Sequence, residues 1–489
     1  MIPIVTPDEM RHIDASSLLS HDELVERAGS AVARSALRML GGAYGRVVVV
    51  IAGKGSNGAD GRVAARRLRS RGVQVRIIDA TECPERIDGV VRSPIDLVVD
   101  AAYGTGFRGT WRPPGVGGIP VLAVDVPSGV DALTGETSGA VLQATRTVTF
   151  AALKPGLLAG EGRRLAGEVE VVGADEMGLG DGVRATATAH LVERRDVAAW
   201  LPRRAATDHK WRHAVRVVAG SPGMEGAARL ACAAALRSGS GMVHVSSPWG
   251  RLDNLPLEVV QRDLVQRDLV QRDVDGHGAW APVVLDDIDR FAALVVGPGL
   301  GTGARASGSI DALLRACPIP VVVDGDGLDA LGRLAPPGSR AGDGATASMP
   351  ASMPASMPAT VLATPHDGEY ARLTGHRPGP DRFAAVRSLA ARLGCTVLLK
   401  GPVTVVADPA GTALAVAEGD ERLATAGTGD VLAGIAGALL AQGLDPLRAG
   451  AAAAWLHGRA GRTLPRHGMI ASDVVGALPA AWAGIDEDG

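Results

Sequence analysis

Short apolar runs that end in glycine, aspartate or proline are the feature of this sequence that most restricts its fold. The first half contains RVVVVIAG, VQVRIID, DLVVDAAYGTG, IPVLAVDVPSG and ATRTVTFAALKPG. The second half contains HAVRVVAG, LVVGPGLG, IPVVVDGDGL, TVLATPHDGEY and CTVLLKGPVTVV. Buried parallel strands look like this, because both faces of their sheet are covered. The sequence therefore predicts the α/β fold class for both halves.

The length of 489 residues exceeds what one hydrophobic core usually organises, so we expect two domains. The strand pattern weakens between residues 178 and 207, and we place the domains at 1–182 and 190–489. An amphipathic helical opening is expected over Thr6 to Leu40. In each half a strand is followed by a glycine-rich loop and a helix. Since open α/β sheets bind ligands beyond the carboxyl ends of their strands, these loops are the candidate sites.

Two tandem repeats interrupt the second half: QRDLVQRDLVQRD at 261–273 and ASMPASMPASMP at 347–358. Both have the character of loop expansions. Proline at every fourth position is incompatible with a regular helix, so an exposed loop is expected for the second tract. No function is assigned to either.

Composition excludes several classes of function. A net charge of −3 gives no basis for nucleic-acid binding, and no run of about eighteen apolar residues predicts a membrane span. The start, MIPIVTPDEMRHID, does not have the pattern of a signal peptide, so a cytoplasmic protein is expected. The four cysteines are scattered without the spacing of a zinc site or a disulfide framework. A small-molecule substrate fits best.

Lysine is rare in this chain. Of 50 basic residues only Lys54, Lys154, Lys210 and Lys400 are lysines, and all four lie in segments that resemble motifs. Lysine is a compact charge whose pKa shifts readily on burial, so a retained lysine marks a place where arginine would serve poorly.

The run Thr425-Ala426-Gly427-Thr428-Gly429-Asp430 precedes an alanine-rich helix that ends near Gly443. Free backbone N–H groups and the helix dipole at such a terminus favour phosphate, and glycines allow close approach. Asp430 can cap the helix, or it can act as a general base on a hydroxyl group. Two further strand ends carry Lys400-Gly401 and the run from Thr364 to Glu369.

GTGD before a helix, strand-KGP and strand-DGDGL (Asp324, Asp326) together resemble the ribokinase-like superfamily. Within it, HK at 209–210, AGSPGMEGAARLA, GPGLG, TPHDGE and TAGTGD resemble the nucleotide-dependent NAD(P)H-hydrate dehydratases, from about residue 190 to the end. The resemblance implies that phosphoryl transfer from ADP or ATP, with Mg²⁺, activates the ring hydroxyl of the S hydrate for elimination, with Asp430 accepting its proton. It places the hydrate at Gly299, His366 and Asp430. It places the nucleotide at Lys400, Gly401, Pro402, Val403, Thr404 and Gly429.

The first glycine-rich loop, Gly53-Lys54-Gly55-Ser56-Asn57-Gly58, satisfies GxGxxG between a strand and a helix. Asp79 follows at the distance of the ribose-binding carboxylate of dinucleotide-binding proteins, so a Rossmann oxidoreductase is a real alternative. That alternative does not explain Asp60, the segment from Asp100 to Gly106, or the run DVPSG from Asp125.

These features resemble the NAD(P)H-hydrate epimerases, with their GNNGGDG, DAxxGTG and DxPSG patterns, over about residues 1–180; ERAG at 26–29 also fits. Two departures are Ser56 for asparagine and Ala59 for glycine, so a tighter backbone approach is expected at Ala59. The resemblance implies a K⁺ ion held by Asn57, Asp100 and Ser128. Asp125 is the candidate proton shuttle at the hydroxyl-bearing carbon, with Lys154 second. The implied substrate contacts are Ser56, Asn57, Gly58, Ala59, Asp60, Gly104, Thr105, Gly106, Phe107, Arg108, Gly109, Thr110 and Asp125.

Together the halves predict a Rossmann-like three-layer epimerase domain followed by a ribokinase-like dehydratase domain. The expected partners are NADHX, NADPHX, an adenine nucleotide and further copies of the chain, with no nucleic acid and no membrane. One alternative is a ribokinase-like small-molecule kinase fused to a Rossmann oxidoreductase. Another is a dehydratase whose N-terminal domain only binds.

Overall fold

The structure is a computed structural model that describes residues 1–203, 205–264, 280–301, 304–335 and 360–486. It divides into two compact units, one of Ile2–His190 and the other mainly of Leu191–Gly379 and Phe383–Gly489. The predicted exposed loop at 347–358, and residues 265–273 of the first repeat tract, lie outside the described residues.

The N-terminal unit is a parallel sheet with the strand order β3-β2-β4-β5-β6-β7. The strands of this sheet are β2 (Val47–Ala52), β3 (Gln74–Asp79), β4 (Leu97–Ala101), β5 (Val121–Val124), β6 (Arg146–Ala151) and β7 (Glu168–Gly173); a short strand, β1 (Ile2–Ile4), precedes them in the chain and is not part of it. Its helices are α1 (Pro7–Ala15), α2 (His21–Leu40), α3 (Ser56–Ser70), α4 (Gly160–Leu165), α5 (Ala174–Met177) and α6 (Gly180–Thr186).

This strand order has a consequence for ligand binding. The chain leaves β2, adds β3 on one side and then places β4 on the other. The loops after β2 and β4 therefore diverge at a topological switch point, where doubly wound sheets bind ligands. The order corresponds to the flavodoxin-like arrangement and differs from that of dinucleotide-binding dehydrogenases. This disfavours the Rossmann oxidoreductase alternative.

The sheet has apolar layers on both faces, which is the expected three-layer arrangement. Val48 and Val50 belong to one buried cluster that includes residues of α2 and α3. Val49 and Ile51 belong to another that includes Trp111. Because adjacent residues of a strand face opposite sides, β2 is buried on both faces and is apolar throughout.

Two parts of the N-terminal unit differ from the sequence prediction. The helical opening is two helices, because Thr6 with Glu9 and Ser20 with Glu23 each form a capping box that starts a new helix. The glycine-rich stretch from Ser56 to Asp60 was expected to be a loop, but it forms the first turns of α3. Helix packing overrides the low helix propensity of glycine there.

The C-terminal unit has a larger sheet in which β17-β16-β15-β14-β13-β12-β9-β10-β11 follow one another. Its strands are β8 (Ala189–Leu191), β9 (Val215–Val218), β10 (Val243–Ser246), β11 (Val259–Gln261), β12 (Ala293–Val296), β13 (Val321–Val323), β14 (Val361–Ala363), β15 (Thr396–Leu399), β16 (Thr404–Ala407) and β17 (Ala413–Val416). Its helices are α7 (Arg194–Trp200), α8 (Glu225–Arg237), α9 (Ala281–Leu285), α10 (Ala304–Ala316), α11 (Leu328–Leu334), α12 (Asp367–Thr374), α13 (Arg382–Leu393), α14 (Thr428–Ala441), α15 (Pro446–Arg462) and α16 (Ala471–Asp486).

Strands β9 to β15 pair in parallel, whereas β16 is antiparallel to both β15 and β17. The prediction of parallel strands was therefore wrong for β16. A short turn joins β15 to β16, and such a turn can connect only antiparallel strands. The core under this sheet is built from alanine-rich α8, α14 and α15, whose small side chains allow close packing. Within the described ranges, no helix has the length and apolar character needed to cross a bilayer.

Candidate functional sites

A cavity of about 980 Å³ opens at the switch point of the N-terminal sheet. Its wall is formed by the loop after β2, the start of α3, the loop after β4 and residues of α1 and α2. Of the predicted residues it brings together Ser56, Asn57, Asp60, Gly104, Thr105, Gly106, Phe107, Arg108, Asp125 and Lys154. Residues far apart in sequence therefore meet at the carboxyl ends of the strands.

An ion pair occupies one side of this cavity. The Nζ of Lys154 lies 2.7 Å from Oδ1 of Asp125, and the hydroxyl of Thr149 donates to the same oxygen over 2.9 Å. Lys154 is only 1% exposed, and it also donates to the backbone oxygen of Phe150 over 3.0 Å. Asp125 has a φ of +66°, a left-handed conformation that is unusual for a residue other than glycine. Such strain persists only where surrounding contacts fix the residue.

Two further carboxyl groups line the same cavity. Asp60, on α3, is 7% exposed, and burial together with the charges of Asp125 and Asp14 raises its pKa to about 8. Asp60 is therefore mainly neutral at pH 7 and can donate a hydrogen bond. Asp14, on α1, also has a raised pKa, chiefly through burial. The sequence analysis missed Asp14 and Thr149, because no motif spacing links α1 or the end of β6 to the glycine-rich loops.

Asn57, Asp100 and Ser128 surround the segment at Tyr103 and Gly104. The hydroxyl of Ser128 donates to Asp100 Oδ1 over 2.6 Å, and the backbone N–H of Tyr103 donates to the Ser128 oxygen over 2.9 Å. A Cβ at Gly104 would lie 3.3 Å from the Cβ of Asn57. Burial raises the pKa of Asp100 despite its hydrogen bonds. Both amide atoms of Asn57 are buried without a hydrogen-bond partner.

Gly58, in the first turn of α3, leaves no room for a side chain, whereas Ala59 is accommodated. A Cβ at Gly58 would lie 1.9 Å from the carbonyl oxygen of Gly53. Ala59 is half-buried on α3 and lies outside the cavity wall, so the tight approach expected at Ala59 occurs one residue earlier. The cavity wall also does not include Gly58, Gly109 or Thr110, which were predicted to contact the substrate.

The second site contains a lysine held among carboxylates at the ends of β13, β14 and β15. The Nζ of Lys400 lies 2.6 Å from Oδ1 of Asp324, and the hydroxyl of Thr364 donates to that oxygen over 2.6 Å. Glu369 is 3.9 Å from the same Nζ. Burial alone would lower the pKa of Lys400, but the charges of Asp324 and Glu369 leave it raised. The lysine is therefore a fixed positive charge.

The helix α14 begins beside this cation. Its N-cap, Gly427, has a φ of +90°, and a Cβ at Gly429 would lie 3.3 Å from the Nζ of Lys400. Asp430 is in the first turn, and burial and the charge of Asp324 are the main causes that raise its pKa to about 7. Free N–H groups, a cation and a carboxyl group that titrates near neutrality thus converge where a phosphate can bind.

His366 caps α12 through its ring. Its Nδ1 accepts from the backbone N–H of Gly368 over 2.9 Å and of Glu369 over 3.2 Å. A ring nitrogen that accepts carries no proton, so the neutral ring has its N–H at Nε2 and can donate there. Of the predicted nucleotide residues, Gly401 and Pro402 are exposed in the turn after β15, Val403 is buried, and Thr404 begins β16.

Gly299 lies close to α8, because a Cβ added at Gly299 would be 2.9 Å from the Cβ of Ala227. On the same helix, Leu230 packs against Gly427, and a Cβ added at Gly427 would be 2.7 Å from Cδ1 of Leu230. Residues three apart lie on one face, separated by about 4.5 Å along the axis, so Gly299 and the start of α14 are neighbours.

His457, on α15, is a further buried residue that the sequence analysis missed. Burial and the charge of Lys400 lower its pKa to about 4, and it hydrogen bonds to the backbone of Thr428. A neutral imidazole therefore lies behind the first turn of α14. The Leu-His-Gly sequence within a long apolar helix gave no motif signal for it.

Fold and sites together define a two-domain α/β enzyme of small-molecule chemistry. One domain has an acid-base cavity at a switch point, and the other has a lysine-carboxylate site at a helix N-terminus. The family described as NAD(P)H-hydrate dehydratase matches residues 215–478, and the family described as YjeF-related protein N-terminus matches residues 21–93 and 78–156.

The bifunctional NAD(P)H-hydrate repair enzyme of Moorella thermoacetica is 34% identical, over 99% of this chain and 97% of that protein. The enzyme of the same description from Mycobacterium tuberculosis strain H37Rv is 36% identical over 89% of each. A solved ADP/ATP-dependent NAD(P)H-hydrate dehydratase from Bacillus subtilis is 27% identical, with a TM-score of 0.47, over 60% of this chain and 97% of that one. The chain belongs to the family of bifunctional NAD(P)H-hydrate repair enzymes, which combine an epimerase with a dehydratase.

Proposed function

We propose that Asp125 and Asp60 exchange protons with the ring hydroxyl during epimerisation in the N-terminal cavity. The observation that carries this proposal is that Asp125 and Asp60 line the same cavity but have different surroundings. Asp125 is paired with Lys154, whereas Asp60 is buried and largely neutral. A neutral acid can protonate the departing hydroxyl as the C–O bond breaks, and an ionised carboxylate can accept a proton from the water that adds back.

In this scheme Lys154 is a positioning residue that holds the Asp125 carboxylate through their 2.7 Å ion pair, and the hydrate lies against the start of α3 and the loop after β4. The contacts would come from Ser56, Asn57, Asp60 and Gly104 to Arg108, which share the cavity wall. Gly58, Ala59, Gly109 and Thr110 would support these loops from behind. The departure of Ser56 from the family pattern leaves a small polar side chain at the same helix start.

K⁺ is the proposed ion at Asn57, Asp100 and Ser128. The fit rests on the buried, unpartnered amide of Asn57 and on the buried carboxylate of Asp100, because a cation would satisfy the first and neutralise the second. Carboxylate, amide and hydroxyl oxygens suit a hard cation. When bound, the ion would fix the loop after β4 and supply positive charge beneath the cavity.

In the C-terminal site, Asp430 would take the proton of the ring hydroxyl as that oxygen attacks the terminal phosphorus of ADP or ATP. The phosphorylated oxygen then leaves as phosphate while the adjacent ring carbon loses a proton to solvent, so that the ring double bond re-forms, and AMP or ADP is the other product. The pKa of Asp430 near 7 suits a general base at neutral pH. Gly299 and the Nε2–H of His366 would hold the hydrate.

Lys400, with Gly401 to Thr404 and Gly429, would hold the nucleotide. Support comes from the close approach of the Lys400 ammonium to Gly429 at the start of α14. Asp324 and Glu369 are oxygen donors near this position, and Mg²⁺ would bind with the phosphates there and neutralise charge during transfer.

The expected domain limits, 1–182 and 190–489, are consistent with a division of the fold between His190 and Leu191. We further propose a cytoplasmic homo-oligomer whose partners are NADHX, NADPHX and adenine nucleotide. Sedimentation of the purified chain tests the oligomer.

The function is tested by giving the purified protein a mixture of R and S hydrates with and without ADP or ATP. The return of reduced-nicotinamide absorbance is then followed. With nucleotide, the S fraction should recover first and the R fraction should follow through epimerisation; without nucleotide neither should recover. No recovery with either nucleotide would overturn the proposed function.

A further inference from the structure

Hydrogen bonds join the three loops at the carboxyl ends of β9, β10 and β12, and these loops form one surface beside the C-terminal site. The hydroxyl of Ser221 donates to the oxygen of Gly299 over 2.9 Å. The hydroxyl of Ser247 donates to the oxygen of Gly220 over 2.8 Å, and the Gly220 N–H donates to Pro298 over 2.9 Å. These bonds hold the loop that contains Gly299 in a fixed position.

Two large apolar side chains are exposed on this surface. Trp249 is 41% exposed and Met224 is 42% exposed. The indole N–H of Trp249 donates to the oxygen of Leu300 over 3.0 Å, and its backbone N–H donates to Ser247 over 3.1 Å. Because the single donor of the indole is satisfied, what remains for a ligand is the ring itself. Met224 also lies beside the loop that follows β12, because its Cε would be 4.0 Å from a Cβ added at Gly301.

The surface continues toward the reacting groups. The backbone N–H of Gly301 donates to Oδ2 of Asp326 over 2.8 Å. The charge of Asp326 in turn acts on Asp430. Trp249 therefore lies on the same loop system as the predicted hydrate contact Gly299, but it is separated from the proposed base by Leu300, Gly301 and Asp326. A ligand that contacts both Asp430 and Trp249 must therefore extend past these three residues.

We propose that Trp249, flanked by Met224, stacks on the adenine ring of the hydrated dinucleotide in the dehydratase site. This inference rests on the proposed function, in which the hydrated ring is held at Gly299 and Asp430. The substrate carries the hydrated ring at one end and adenine at the other, and only adenine is flat, because hydration leaves saturated carbons in the first ring. Since the reacting ring must present its hydroxyl to Asp430, the ring that contacts the indole of Trp249 is the adenine at the other end of the substrate. Stacking on an aromatic side chain tolerates polar groups at the ring edge, so it holds adenine firmly without a set of hydrogen bonds.

The test compares Trp249→Leu, which removes the aromatic face, with Trp249→Phe, which keeps one. The KM for the S hydrate of NADH should rise about tenfold in Trp249→Leu and recover largely in Trp249→Phe, as expected when a stacked base loses its partner. The KM for ADP and the rate of R/S exchange should not change. The control is Leu257→Ala, since Leu257 is 99% exposed and lies at the far end of the loop after β10, next to β11.

A second substrate identifies the ring. The hydrate of reduced nicotinamide mononucleotide has no adenine, so wild type and Trp249→Leu should process it with equal kcat/KM. An unchanged KM for the NADH hydrate in Trp249→Leu would overturn the proposal, and so would an equal loss on both substrates. Failure of the proposed function is distinct, because the wild-type protein would then not dehydrate the S hydrate at all.

Discussion

At the scale of single residues, three aspartates with different surroundings carry the proposed chemistry. The pKa of Asp430 is raised to about 7 and the pKa of Asp60 to about 8, whereas Asp125 forms an ion pair with Lys154. Their sequence contexts do not predict this difference, since Asp430 follows Gly429, Asp60 follows Ala59 and Asp125 follows the last residue of β5. What separates them is the number of buried neighbours and the sign of the nearest charge.

The pKa of Asp430 predicts the pH dependence of dehydration. A general base works only when ionised, so kcat/KM for the S hydrate should rise with pH through about 7 and then level off. Asp430→Asn should lower it by about 10²-fold or more above pH 7 and should remove the rise with pH. The measurement is initial rates between pH 5.5 and 9 with saturating ADP. A wild-type profile that is flat between pH 6 and 8 would contradict the role as base.

The pKa of Asp60 predicts effects on both rate and stability. Asp60→Asn cannot supply a proton, so R/S exchange should fall about 10²-fold while dehydration of the S hydrate persists. Because the pKa of Asp60 in the folded chain lies above its ordinary value of 3.8, the folded chain holds a proton that the unfolded chain releases. The stability from this group is therefore full below about pH 4 and lost by pH 8. The free energy of unfolding is measured for Asp60→Asn and for wild type in K⁺-free buffer. The value for the variant minus the value for wild type should rise between pH 5 and 9. A difference that stays constant over this range would contradict the raised pKa of Asp60.

At the scale of elements, α3 and the loops after β2 and β4 form one unit. Gly58→Ala should be damaging, because its Cβ would meet the Gly53 oxygen at 1.9 Å. We expect a loss of about 1–3 kcal/mol in the free energy of unfolding and a marked fall in epimerase rate. Ala59→Gly is the matched control. It should cost about 1 kcal/mol through helix propensity and leave the rate nearly unchanged. Denaturant unfolding and R/S exchange assays measure both, and equal effects would contradict this packing.

The loop after β4 should also respond to K⁺. Replacing choline chloride with KCl at equal ionic strength should raise the Tm and the epimerase rate, since the ion neutralises Asp100 and satisfies Asn57. Asp100→Asn should abolish the difference between the two salts. A wild-type protein indifferent to the cation would refute the proposed site.

At the scale of the whole molecule, one chain carries two chemically separate sites. Asp430→Ala should abolish nucleotide-dependent dehydration while R/S exchange continues, and Asp125→Ala should slow repair of the R hydrate and spare the S hydrate. Absorbance and chromatographic separation of the two hydrates measure these activities. Loss of both activities in either well-folded variant would count against separate sites.

The sequence by itself determined the α/β class, the existence of two glycine-rich sites and the family. Apolar runs and glycine spacing are local properties, and they report strand burial and backbone approach directly. Of the four lysines that the sequence singled out, Lys154 is buried and Lys400 is half-buried, each beside a carboxylate, while Lys54 and Lys210 are exposed.

Only the tertiary structure decided which residues share a site and how they are charged. It extended α3 back to Ser56, made β16 antiparallel, and brought Asp14, Thr149, His457 and Trp249 to places no motif indicated. The physical reason is that burial and electrostatic coupling depend on distances between elements far apart in the chain. Sequence patterns fix where each strand ends, and packing then fixes which charges and rings face one another there.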